Sequence, residues 1–185
     1  AMGPISGLSA VEQRLNAVAQ NIIHLRPGFF MENYLMQLET IRTANSVLLP
    51  IRGDRHLAMI ATQDIAAVAT ELLLQRNWHG QSVMGLHGPT DLGFAEAATI
   101  LSQELGRSIV HVPITFEPFR ASLLQTGASA SVAADYVEMW QGLIQPAYSP
   151  AEPRTSQTTT PTTFAHFVRE QILPQLSQPI TASVD

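Results

Sequence analysis

Apolar residues recur along this chain with two periods, and the switches between them predict its elements. Val11, Leu15 and Val18 fall at helical spacing behind Ser9-Ala10-Val11-Glu12. That is a capping-box pattern, in which Ser9 and Glu12 satisfy each other's free amides, so a first helix is expected there. The β-branched run Ile22-Ile23-His24-Leu25 reads as a short strand of a buried parallel sheet, ending at Arg26 and stopped by Pro27-Gly28. Phe30, Tyr34, Leu38 and Ile41 mark one face of a helix expected over residues 29–44. Residues 47–50 and 56–60 read as extended segments around an Arg52-Gly53-Asp54 turn. Thr62 is the expected cap of a helix over 63–75, with Asp64 in its first turn favouring the helix dipole.

The second half continues the alternation. Residues 81–86 read as a second parallel strand closed by Gly88-Pro89, and Asp91-Leu92-Gly93 leads into a helix over 94–105 with Gly106 at its C′ position. Residues 108–113 form a third strand, and helices over 116–125 and 130–143 are separated by Gly127-Ala128-Ser129. Residues 146–163, rich in Pro, Ser and Thr, predict an irregular crossing segment. Thr163 is placed to cap a last helix over 164–173, and residues 177–185 read as a flexible tail. Alternating strands and helices indicate an α/β fold. A parallel sheet buried on both faces usually has more strands than these, so the chain is expected to be the end of a larger fold.

Composition then narrows the chemistry. The chain has 185 residues, 45% hydrophobic and 14% charged, which suits a folded globular protein. A net charge of −5, with the Arg residues scattered from Arg14 to Arg169, argues against a nucleic-acid partner. Absence of cysteine removes thiolate nucleophiles and Cys-based zinc sites and fits a cytoplasmic protein. No apolar run is long enough for a membrane span. All ten cations are Arg, so neither a Walker lysine nor a Tyr-x-x-x-Lys acid–base pair exists. No G-x-G-x-x-G cradle and no G-x-S-x-G elbow occurs. The six His include no i, i+4 pair; His24 and His111 read as strand residues and the others as loop or surface side chains.

Several segments nevertheless share one likeness. Gly3-Pro4-Ile5, Val11-Glu12-Gln13-Arg14-Leu15 and Leu25-Arg26-Pro27-Gly28-Phe29-Phe30-Met31-Glu32-Asn33 resemble the NmrA-like atypical short-chain dehydrogenases/reductases. Ile60-Ala61-Thr62-Gln63-Asp64-Ile65-Ala66, Gly88-Pro89-Thr90-Asp91-Leu92, Leu105-Gly106-Arg107 and Thr162-Thr163-Phe164 with Phe167 continue it in order, over about residues 3–176. The resemblance implies the C-terminal part of a Rossmann-like doubly wound parallel sheet (residues 3–90), with a small, mostly helical substrate-side subdomain (91–176) interleaved with it.

It further implies that the Pro-Gly turn sits beside the nicotinamide end of NADP or NAD, making Pro27, Gly28, Phe29, Phe30 and Asn33 the candidate cofactor-binding residues. Gly28 would let a ligand approach the backbone, Phe29 and Phe30 would wall an apolar pocket, and Glu32 and Asn33 would offer polar contacts. Asp64 resembles the family's Asp before the helix supporting the pocket floor. Leu8 and Ser9 stand where relatives often carry Lys or His. The implied function is an NAD(P)H-dependent reductase of quinones or small carbonyl compounds, or else an NAD(P) sensor signalling through a protein partner without turnover. Lacking the Gly-rich loop, the chain alone is expected to bind nucleotide weakly or not at all. Its first strand, short of a neighbour, would favour a homo-oligomer through the exposed sheet edge.

Overall fold

Proline decides where the first helix begins. The computed structural model describes residues 2–145, 148 and 150–177. In it α1 spans Pro4–Val18, with Gly3 at the cap. Proline at the first helical position gives up an amide that would be unpaired anyway and presets φ, so Ser9 becomes a helix-interior residue, not a cap. The apolar side of α1 is also not a core face: none of its residues is buried.

β1 (Ile22–Pro27) and β5 (Gln81–Leu86) pair in parallel, from Ile22 with Gln81 to Pro27 with Leu86. Pro27 occupies the last position, and Gly28 N donates to Leu86 O at 2.9 Å. The chain then joins a second sheet. β2 (Phe29–Phe30) runs parallel to β4 (His56–Ile60), and β6 (Asp91–Gly93) lies antiparallel on the other side of β4. β3 (Ser46–Leu49) pairs in parallel with β7 (Val110–Pro113). The strands thus form sheets of two, three and two members, and β7 does not extend the β1–β5 pair. α4 (Phe94–Leu105) ends at Gly106 with φ +64°, as its sequence predicts. Ser102 Oγ then holds both Ile109 N and Ile109 O, which delivers β7 to β3.

Residues 29–44 are not one helix. Pairing of Phe29 and Phe30 with Met59 and Ile60 outweighs their helical spacing. A 3₁₀ helix, Met31–Gln37, follows, and then α2 (Leu38–Ala44). Residues three apart eclipse in a 3₁₀ helix. Met31 and Tyr34 are accordingly both buried, and Gln37 Oε1 accepts the Leu48 amide at 2.9 Å.

α3 spans Thr62–Gln75, and Thr62 is its first residue, not its cap. Ala61 holds the cap position, and Glu32 Oε1 accepts from Thr62 N (2.8 Å) and Thr62 Oγ1 (2.6 Å). Asp64 is buried and spends its carboxylate on Thr162, accepting from the amide at 3.0 Å and the hydroxyl at 2.6 Å. This clip positions the last helical run. Thr163 caps it as expected, accepting from His166 N, and the run passes through α7 (Phe164–Phe167), a π-helical turn (Val168–Ile172) and α8 (Leu173–Ser177). The tail beyond Ser177 lies outside the described residues.

α5 (Phe116–Gln125) and α6 (Ala130–Leu143) pack against each other, Ser129 capping the latter. One core unites the early and late segments: Tyr34, Met59, Phe94, Trp140, Phe164 and Ile172 all belong to it. The crossing segment is pinned where Arg154 donates to Gly88 O and pairs with Asp91, and where His87 exchanges backbone hydrogen bonds with Thr158 and Thr160. No helix among the described residues is long and apolar enough to cross a membrane.

Candidate functional site

The turn after β1 opens onto a cavity of about 460 Å³. Pro27, Gly28, Phe29, Phe30 and Asn33 all line it, so the structure brings the five sequence-predicted residues to one place. Their roles differ. Phe29 belongs to an aromatic cluster, edge-on to Phe94 (centroids 5.4 Å apart) and tilted against Trp140 (5.9 Å). Phe30 is more open to solvent. Asn33 has no side-chain hydrogen bond among the described residues, leaving its amide free at the cavity wall. Glu32 does not join it, because its carboxylate caps α3.

Gly28 has a different reason for being glycine than ligand approach. A Cβ there would lie 2.1 Å from Ala58 O, and one at Gly88 would fall still closer to Met59 O. The glycines that follow β1 and β5 therefore let β4 pass between them. The space where a Gly28 side chain would stand is filled by protein backbone.

The remaining walls come from far along the chain. β4 and the turn before it contribute Arg55, His56, Leu57 and Ala58; α5 gives Phe119 and Leu123; α6 gives Tyr136, Met139, Trp140 and Leu143. Phe119 stands edge-on to Trp140 at 6.1 Å. These residues escape a sequence reading because their distances are long. The signal that does exist is the pair of i, i+4 couples, Tyr136–Trp140 and Met139–Leu143, on α6. A core stripe looks the same.

Polar groups are few. Arg55 Nη2 donates to Tyr148 O (2.8 Å) and Gln145 O (3.3 Å), and its guanidinium lies 5.9 Å from the Tyr148 ring centroid. No carboxylate pairs with it among the described residues. Asp91 is neutralised by Arg154. His56 Nε2 approaches Glu96 Oε2 at 3.2 Å. The Glu96 carboxyl is held below the ordinary carboxylate range chiefly by the Gly93 amide, with His56 adding to it. Burial pushes the Tyr148 hydroxyl up.

Among the described residues the lining contains no Ser, Thr or Cys. No cluster of three metal-ligating side chains exists among the described residues. Of the other histidines, His24 is a buried strand residue bonded to Asn16 Oδ1 (2.8 Å), and His111 in β7 bonds Ile51 O (2.8 Å). His87 lies in the loop after β5, as expected, and is buried there.

For the dinucleotide implied by the sequence, the fit is one-sided. An apolar wall with a free amide suits a nicotinamide ring. A phosphate cradle needs a Gly-rich turn from a parallel strand into a helix, and β1 runs into β2 instead. No such turn occurs among the described residues.

No protein-family model matches the chain. It is 34% identical over 116 residues to an NAD(P)H azoreductase of Xenophilus azovorans, covering 63% of this chain and 40% of that protein. The structure of NmrA, a negative transcriptional regulator in complex with NADP, superposes with a TM-score of 0.62 at 12% identity, over 90% of this chain and 57% of that one. An NADPH-dependent quinone oxidoreductase of Escherichia coli, complexed with NADPH, gives a TM-score of 0.57 at 22% identity, covering 74% and 49%. The chain spans about half the length of the curated relatives it matches. The chain is thus similar in sequence to an NAD(P)H azoreductase and shares the α/β fold of the corresponding part of NmrA and of the quinone oxidoreductase.

Proposed function

We propose that the chain forms the substrate side of an NAD(P)H-dependent reductase acting on a quinone or a similar small carbonyl compound. The observation carrying this is the place of the cavity, at the carboxyl end of parallel strand β1, where open α/β sheets bind their ligands. The names of two relatives, an azoreductase and a quinone oxidoreductase, support it. Pro27, Gly28, Phe29, Phe30 and Asn33 would border the nicotinamide of NADP or NAD, which supplies the hydride when bound. Phe29 and Trp140 keep water from the ring face, and the Asn33 amide is free to orient it. The grip on the phosphates would come from outside this chain.

A second reading is an NAD(P) sensor that works through a partner. It is favoured by the lysine-free sequence, which removes the Tyr-x-x-x-Lys pair, and by the apolar residues Leu8, Val18, Leu73 and Leu74 exposed on α1 and α3. The same surface, with the free edge of the β1–β5 pair, supports self-association, which sedimentation at several concentrations measures. Joined to the phosphate-binding half of an NmrA-like protein, the chain is expected to bind NADPH by calorimetry and to oxidise it with a quinone. Binding without oxidation across a quinone panel supports the sensor, and absence of binding overturns both readings. The chain alone is expected to bind NADPH only weakly.

A further inference from the structure

We infer that the cavity selects an aromatic ligand carrying an anionic oxygen group, a carboxylate or sulfonate, with Arg55 as the residue that recognises it. The inference deepens the reductase reading and rests on its placing of the substrate in this cavity.

Charge balance is the first argument. Arg55 is the only Arg or Lys lining the cavity, and no carboxylate neutralises it among the described residues. Its two partners among the described residues are the neutral carbonyls of Tyr148 and Gln145, both engaged by Nη2. Nε is buried without a partner. Among the described residues Nη1 also has no protein partner, and it is not among the buried unpaired atoms, so it is the donor left open there. The other cavity charges are matched: Asp91 pairs with Arg154, and His56 faces Glu96. An open cationic donor at the edge of an apolar cavity is satisfied best by an oxyanion.

The second argument is the body of the cavity. Trp140 lies 5.9 Å from the Phe29 ring and 6.1 Å from the Phe119 ring, and Leu123 and Met139 complete an apolar wall. Such a wall accepts a planar aromatic system. The two Arg55 carbonyl contacts hold the guanidinium still, so an incoming anion meets a donor already positioned.

The test uses the full chain without nucleotide and two probes differing in charge, naphthalene-2-carboxylate and naphthalene-2-carboxamide. Binding is read by quenching of Trp140 in a Trp78→Phe background. The carboxylate is expected to bind about tenfold more tightly than the amide, as a charged hydrogen bond supplies. That preference should shrink as salt is raised. Arg55→Gln should abolish the preference while leaving amide binding, and Arg55→Lys should keep part of it. Equal affinity of the two probes for the unsubstituted chain overturns the inference whether or not the variants fold. A preference untouched in a folded Arg55→Gln variant, or no binding of either probe, also overturns it. Because NADPH is absent, these outcomes are separate from failure of the reductase reading, which appears as lost NADPH oxidation.

Discussion

Replacing Gly28 by alanine adds one methyl group at the point where β1 hands the chain to β2. An ideal Cβ at this position lies 2.1 Å from Ala58 O, 3.1 Å from Ala58 C and 3.2 Å from the Ala58 Cβ. Relaxed C···O contacts begin at roughly 3.3 Å, so one backbone must retreat by about 1 Å. Neither is free to do so. Gly28 N is held to Leu86 O, the next residue pairs with Met59, and β4 is buried from Leu57 to Ile60. Overpacking of this kind costs about 1–3 kcal/mol. Loosening the short β2–β4 ladder adds about 1 kcal/mol for each hydrogen bond lost. A total near 3–4 kcal/mol is a large part of the 5–15 kcal/mol typical of a domain, and corresponds to a fall in Tm on the order of 10 °C. Circular dichroism during urea and thermal unfolding measures it, with the midpoint falling and the slope unchanged. Gly7→Ala is the control. Gly7 sits within α1 with nothing near its Cβ position, so the same substitution should stabilise by about 0.5–1 kcal/mol. A Gly28→Ala chain that melts with the parent would refute the packing argument and return Gly28 to a ligand-approach role.

Other sites give sharper signs than sizes. The Tyr34 hydroxyl is buried with no partner, and burial drives its ionisation well above the usual range. Tyr34→Phe is therefore expected to stabilise by about 1 kcal/mol in urea unfolding, and a loss of that size would show that the hydroxyl is satisfied after all. Thr162→Val takes from the buried Asp64 carboxylate its 2.6 Å hydroxyl donor, and should cost about 1.5–3 kcal/mol by the same measurement. Glu12 is held below the ordinary carboxylate range, first by its hydrogen bond from Arg26. A carboxyl lowered on folding contributes stability above its unfolded pKa and loses it as pH falls through the folded value. The pair is solvent-screened, so the gap between parent and Glu12→Gln should be at most about 1 kcal/mol at pH 6 and close as pH falls below the ordinary glutamate range.

The parts of the molecule legible in the sequence are those decided locally. β1, β5, α4 with its Gly106 stop, and the Thr163 cap follow from residues within a turn or two of each other. The misreadings arise where a distant partner wins. Phe30, Tyr34, Leu38 and Ile41 have a helix's spacing, yet β4 captures Phe29 and Phe30 and the chain tightens to 3₁₀ geometry behind them. Thr62 looks like a cap until Glu32, thirty residues earlier, takes its amide. The site divides along the same line. The contiguous run 27–33 is visible, whereas Arg55, Phe119 and Trp140 join it only through the tertiary fold.

The strand pairings also set a timetable for assembly. Among the described residues no strand pairs with the next one in sequence: β1 waits for β5, β2 for β4, β3 for β7 and β4 for β6. There is no hairpin to form first, and every ladder closes a long loop, which slows folding. At roughly 5–20 residues per second of synthesis, β1 emerges about 3–12 s before its partner, since Ile22 pairs with Gln81. Through that interval Ile22, Ile23 and Leu25 are an apolar strand without their β5 partner. A holdase that shelters the nascent chain over this window is expected to raise the folded yield more than one added after release.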